Sequence, residues 1–167
     1  MAVLNIHERT VPAPEETVGA LLDGLAGPDD RLWPGPAWPR MRFDGPLAVG
    51  ASGGHGPVRY TVVGYQPGRW VRFRFNGPRG FDGFHEFTVQ PATESGNGGG
   101  TLLRHTIVMR AHGPARVSWP LAFRWLHDAL LEDALDRAVR ACGGTVATPA
   151  RWTPYVRLLR ALVHRRH

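Results

Sequence analysis

Two stretches put histidine where an apolar side chain is expected. In GFHEFTV, residues 83–89, His85 alternates with Phe87 and Val89, and in TLLRHTIVM, residues 101–109, His105 alternates with Leu103, Ile107 and Met109. Alternation at a period of two marks strands, so each imidazole is expected on the apolar side of a sheet. Histidine titrates near neutrality and suits proton transfer, and two neighbouring rings disfavour double protonation. Such groups can shuttle a proton next to a carbonyl or orient a polar ligand atom. They can also simply satisfy each other, because buried polar groups need partners whatever their purpose. His85 and His105 are therefore the candidate catalytic residues, with no role forced on them.

Other chemistries are poorly supported. His85, His105 and His127 could together offer nitrogen ligands to a metal, but no compact ligand spacing and no inward carboxylate are evident, so no metal is expected. His55 lies in GASGGHG, which lacks the lysine of a phosphate loop and the setting of a dinucleotide fingerprint; it reads as solvated. No nucleophile elbow is present. Cys142 reads as a small packing residue at a helix end, and no cofactor is expected.

The elements that must carry these rings can be read in order. Residues 2–9 form an opening strand, and a helix follows with Pro14 in its first turn and Glu15 and Glu16 complementing its dipole. Val18, Leu21, Leu22 and Leu25 recur at helical spacing until Gly27-Pro28-Asp29-Asp30. A loop rich in tryptophan, RLWPGPAWP, leads to a strand around Arg40–Phe43, and Trp33 and Trp38 there either close the core's edge or wall a cavity mouth. After a glycine-rich connection, Val58, Tyr60 and Val62 share one strand face. The Gln66-Pro67-Gly68-Arg69 turn leads to Val71, Phe73 and Phe75. The strands of His85 and His105, joined across the flexible run TESGNGGG, form a hairpin. A register pairing residues that sum to 190 sets His85 opposite His105 and Glu86 opposite Arg104. Arg40, Arg42, Arg72, Arg74 and Arg104 then form a solvated outer face.

From Ser118, read as a cap, to Cys142 runs a long helix with Trp119, Phe123, Leu126, Leu130, Ala134, Ala138 and Cys142 as its apolar stripe. His127 flanks that stripe, one turn from Phe123 and Leu131. Gly143-Gly144 end the helix.

The chain has 167 residues, 43% of them hydrophobic, which suits one domain with a real core. Its single cysteine rules out an internal disulfide and fits a reducing cytoplasm. The opening residues show no signal-peptide pattern, and no apolar run reaches the ~18 residues a membrane span needs. The formal net charge is +6, yet residues 1–148 carry 15 arginines against 14 acids, so nearly all the excess lies in residues 149–167. Nucleic-acid binding is therefore not expected of the body. In the tail, Trp152, Tyr155, Val156, Leu159, Leu162 and Val163 form an apolar stripe with Arg157, Arg160, Arg165 and Arg166 outside it. That helix is expected to dock on its own domain or a second subunit, or to lie on an anionic membrane surface.

The order strand, helix, antiparallel strands, long helix resembles the SRPBCC superfamily, the START and Bet v1-like helix-grip proteins that include polyketide cyclases and lipid-transfer proteins. The resemblance rests on PAPEETVGALLDGL, WPRMRFDGPLAVG, VGYQPGRWVRFRF, GFHEF, GTLLRHTIVM and WLHDALLEDALDRAV, and spans roughly residues 2–142. It implies an α+β helix-grip fold, a curved antiparallel sheet wrapped around a long C-terminal helix. The domain is expected over residues 1–144, with a basic amphipathic extension over 145–167. The resemblance also implies a cavity between sheet and helix for a small hydrophobic molecule, lipid or polyketide-like. Its candidate lining is Met41, Phe43, Tyr60, Phe73, Phe75, His85, Phe87, His105, Ile107, Met109, Phe123 and His127. A carrier and a cyclase or dehydratase-like enzyme both remain open, because fold does not determine chemistry.

Overall fold

The computed structural model describes residues 1–92 and 100–164, with side chains described up to Leu162. The chain opens on β1 (Ala2–Val11) and α1 (Glu15–Asp23), continues through β2 (Arg42–Phe43), β3 (Ser52–His55), β4 (Val58–Gln66), β5 (Trp70–Gly77), β6 (Phe81–Pro91) and β7 (Thr101–Ala111), and closes on helices. These are α2 (Ala115–Ser118), a π-helical turn (Trp119–Phe123), α3 (Arg124–Ala141) and α4 (Pro154–His164). The strands make one seven-stranded sheet in the order β1-β7-β6-β5-β4-β3-β2, antiparallel at every pairing. This is the Bet v1-like helix-grip architecture expected from the sequence. Register shifts in β4 between Arg59 and Tyr60 and between Val62 and Gly64 increase the local twist and bend the sheet.

Alternation decides which face is buried. Tyr60, Phe73 and Phe87 are fully enclosed on the concave side, each worth about 1.5–3 kcal/mol by apolar burial. Arg72 and Arg104 stand on the convex side, paired with Glu86 at 2.8 Å and Glu8 at 2.7 Å. The β6–β7 register differs from the expected one by two residues. His85 lies opposite Ile107 and Phe87 opposite His105. A slip of two keeps every side chain on its own face, so the alternation is satisfied either way, and Glu86 meets Arg72 rather than Arg104. All of the TESGNGGG run except Gly100 falls outside the described residues.

Three boundaries depart from the sequence reading. The glycine-rich connection contains β3, because a Cβ on Gly53 would stand 1.9 Å from the Arg42 carbonyl oxygen and only a bare backbone can pair so closely. Helix α1 stops at Asp23, and Asp30 instead braces the following loop, accepting from the amides of Ala26, Leu32 and Trp33 at 2.8–2.9 Å. The long helix begins at Ala115, not at Ser118. Pro120 has no N–H to give to the carbonyl four residues back, and the ladder expands there so that the Arg124 amide donates to the Trp119 carbonyl. Elsewhere the turns behave as expected. Gly68 supplies the left-handed φ of +71° in the β4–β5 turn.

A polar ladder fastens the edge strand to the helix. Asn5, His7 and Arg9 recur every second residue along β1, about 6.7 Å apart. Asp128, Glu132 and Asp136 recur every fourth residue along α3, about 6 Å apart. The matched steps let Asn5 donate to Asp128 at 2.9 Å, His7 bridge Asp128 and Glu132 at 3.0 and 2.9 Å, and Arg9 reach Glu132 and Asp136 at 2.6 and 2.8 Å.

Helix α4 packs against α3 and the tryptophan loop. The indole N–H groups of Trp38 and Trp152 both donate to one oxygen of Asp133, at 2.7 and 2.8 Å. The Arg160 guanidinium lies over both rings, 4.7 Å and 3.7 Å from their centroids, and donates to the Ala37 carbonyl. Arg160 thus points inward, contrary to its expected place outside the stripe, because the faces of two indoles packed edge-to-face attract a cation. Leu158 and Leu162 remain exposed on the outer side of α4. Among the described residues, no helix is long and apolar enough to cross a membrane.

Candidate functional site

A cavity of about 190 Å³ lies between the concave sheet and the α2–α3 helical run. Of the expected lining, Phe75, His85, Phe87, His105, Ile107, Phe123 and His127 face it. Met41, Phe43, Tyr60, Phe73 and Met109 do not; all but the half-buried Phe43 are fully buried in the surrounding core. The hollow is therefore displaced toward the helix and the tryptophan loop, where Trp33, Trp38, Phe81 and Trp119 supply further wall. Trp33 and Trp38 take the wall position that was one of their two sequence readings. Phe81 is an alternating strand residue and Trp119 a stripe residue, so both carried a signal. Arg160, from α4, is the one arginine, lysine or carboxylate among the lining residues described.

Inside, the imidazoles form a connected set. His85 Nδ1 and His105 Nε2 are 3.2 Å apart, and both residues are buried. His85 is stacked on Phe73 and Phe75 at 4.8 and 4.9 Å between centroids and meets the edge of Tyr60. His105 is held edge-on by Phe87 at 4.6 Å and lies 5.0 Å from His127. Aromatic packing on this scale locks ring orientation. The outer nitrogens, His85 Nε2 and His105 Nδ1, are buried and have no protein hydrogen-bond partner.

The electrostatics keep these rings neutral. Burial, followed by repulsion from the neighbouring histidines, holds His85 and His105 well below the usual histidine range. Burial likewise lowers His127, against a smaller opposing pull from Asp128. A neutral imidazole has one N–H and one lone pair. Whichever ring donates across the 3.2 Å contact, one outer nitrogen of the dyad is then a donor and the other an acceptor. The roles exchange only if the inner proton crosses that contact while a bound molecule takes a proton from one outer nitrogen and returns one to the other.

His55 is half-buried, whereas its glycine-rich setting suggests a solvated ring. Strand β3 turns it inward, where its Nδ1 lies 3.0 Å from the Tyr60 hydroxyl and its ring 4.7 Å from Trp33. Burial, with smaller contributions from His127 and Arg59, lowers its pKa to about 3. Tyr60 is correspondingly pushed far above the ordinary phenol range by burial.

His7 and Asp128 carried no assignment from sequence. Burial disfavours the His7 cation, but its bonds to Asp128 and Glu132 outweigh that and raise its pKa. Burial raises Asp128, and the neighbouring His127 together with hydrogen bonds from His7 and Asn5 overcomes this to hold its carboxyl well below the usual range. Asp128 also supplies the inward carboxylate that the sequence did not reveal, with its Oδ1 3.6 Å from His127 Nδ1.

No curated protein matches the chain significantly. Solved structures share its fold. CalU16 from Micromonospora echinospora is 18% identical with a TM-score of 0.57, covering 98% of this chain and 89% of that one. A protein from Thermobifida fusca is 16% identical with a TM-score of 0.61, covering 84% and 93%. Truncated norcoclaurine synthase from Thalictrum flavum is 15% identical with a TM-score of 0.60, covering 83% and 94%. A point mutant of the same synthase has been determined with a transition-state analogue. The family described as polyketide cyclase / dehydrase and lipid transport matches residues 7–156. With the match spanning nearly the whole helix-grip domain, the chain belongs to that family.

Proposed function

We propose that the protein binds a small, largely apolar molecule carrying a polar oxygen, and that the His85–His105 dyad orients that oxygen. The observation that carries this reading is the pair of buried imidazole nitrogens without protein partners in an aromatic cavity. A buried polar atom left unpaired costs about 1–3 kcal/mol, and a ligand that supplies one acceptor and one donor offsets that cost. The volume limits the guest. About 190 Å³ is slightly more than the roughly 150 Å³ that holds benzene in an engineered cavity, so one substituted ring fits and a larger molecule leaves part of itself at the mouth. There Arg160 can meet a carbonyl or acidic group.

A second reading follows from the same dyad. A neutral donor and a neutral acceptor side by side can add a proton to a carbonyl oxygen while removing one from an adjacent carbon, the step a cyclase or dehydratase requires. Family membership supports both readings and separates neither.

Native mass spectrometry of the purified chain, with extraction of what co-purifies, is expected to give an aromatic or polycyclic compound bearing oxygen. His85→Ala and His105→Ala should each weaken its binding about tenfold, one hydrogen bond's worth. If the compound is also converted by the protein, both variants should lose turnover by 10²-fold or more. Unchanged affinity in both variants would remove the orienting role, and unchanged turnover would remove the catalytic one.

A further inference from the structure

We propose that His7, His127 and Asp128 form a binding site for one divalent cation of the zinc type, clamping β1 to α3. One ligand atom from each residue lies within 4.8 Å of the others. His7 Nε2 is 3.0 Å and His127 Nδ1 3.6 Å from Asp128 Oδ1. A tetrahedral ion with bonds of 2.0–2.1 Å requires ligand atoms about 3.3 Å apart, a spacing those two distances bracket. Along those two edges the atoms need move by only a few tenths of an ångström, and the third edge, His7 to His127, lies within the same 4.8 Å limit.

The surrounding groups are those a metal-bound histidine uses. His7 Nδ1 faces Glu132, which Arg9 holds in turn. With its Nδ1–H committed to that carboxylate, His7 directs the Nε2 lone pair at the site. Asn5 donates to the Asp128 oxygen that would bind the ion. His127 is the independent pointer to a missing ligand, because both of its ring nitrogens are buried and neither has a hydrogen-bond partner. Two imidazoles and one carboxylate favour zinc over calcium or magnesium, which take oxygen-rich shells. A fourth position is left for water or another small donor. The proposal does not rest on the reading of the cavity, although His127 also lines it.

The test is zinc titration of the metal-stripped 167-residue chain by calorimetry, with cobalt(II) absorption as a second reading of the coordination. His164 and His167, three residues apart in the terminal sequence, can bind zinc on their own, so the titration is made in a His164→Gln, His167→Gln background. One zinc per chain is expected. His127→Gln should weaken binding at least tenfold without disturbing the fold, since His127 makes no hydrogen bond. Asp128→Asn should do the same and abolish the cobalt spectrum, and His112→Gln, at an exposed position, should change nothing. If the background chain binds no zinc, or binds it equally well with both ligand substitutions, the proposal fails and His7 is only a cation shared by two carboxylates.

Discussion

The two histidine arrangements on the concave face differ in nearly every respect but residue type. His85 and His105 sit deep in an aromatic enclosure with no carboxylate contact and an unpaired nitrogen on each ring. His7, near the sheet edge, has carboxylates on both nitrogens and is embedded in a ladder of alternating charge. Depth and partner decide the outcome. Desolvation without a counter-charge leaves the dyad neutral, while two carboxylates overcome a smaller desolvation and favour the His7 cation. The first arrangement keeps hydrogen-bonding capacity in reserve, and the second spends all of its capacity on holding β1 to α3.

Removing a ladder cation is expected to be the costliest single substitution. Arg9→Ala leaves the buried Asp136 carboxylate without its closest cation, a loss of about 3 kcal/mol that urea denaturation would measure. A loss under ~1 kcal/mol would show that the ladder contributes register rather than stability.

The response to acid adds the contributions of several groups and can exceed any single substitution. His55, His85, His105 and His127 have folded pKa values below 6.5, so the unfolded chain binds more protons once the pH drops below that value. Their contribution to stability is intact above pH 6.5 and is lost on acidification, by about 1.4 kcal/mol per pH unit for each proton taken up on unfolding. His7 has the opposite sign, contributing fully below 6.5 and losing its contribution as the pH rises through its raised value. Unfolding midpoints measured from pH 7 to pH 4 should therefore fall, and less steeply in a His85→Leu, His105→Leu double variant.

The smallest effect is that of the double variant itself at pH 7. Replacing both members of a buried polar pair with apolar groups of similar size is close to neutral, so its stability should lie within about 1 kcal/mol of the parent. A loss of several kcal/mol would mean that the dyad is a structural bond and not a reserved one.

Alternation placed His85, His105, Phe87 and Ile107 on the correct face, and helical spacing placed Phe123 and His127 against them. The β6–β7 register was beyond such reasoning, because a two-residue slip preserves both faces and finds the outer charges other partners in Arg72 and Glu8. Glycine carries two opposite meanings, and that hid His55: the same residues that permit a turn permit the tight β2–β3 pairing. The ladder was invisible for another reason. Its halves lie more than 120 residues apart, and nothing local in Asn5-Ile6-His7-Glu8-Arg9 names the acids on α3. Arg160 was read from helix periodicity alone, which cannot anticipate two indoles waiting beneath the helix.

The expanded turn at Trp119–Phe123 has a wider consequence. One surplus residue advances a helix by about 100° of rotation, so the segment before it and the segment after it are out of phase. With α3 anchored to the edge strand by its acids, deleting a single residue there would swing Trp119 off the hollow while leaving the sheet untouched. The interior can thus be reshaped by insertions and deletions at one spot, without altering any strand.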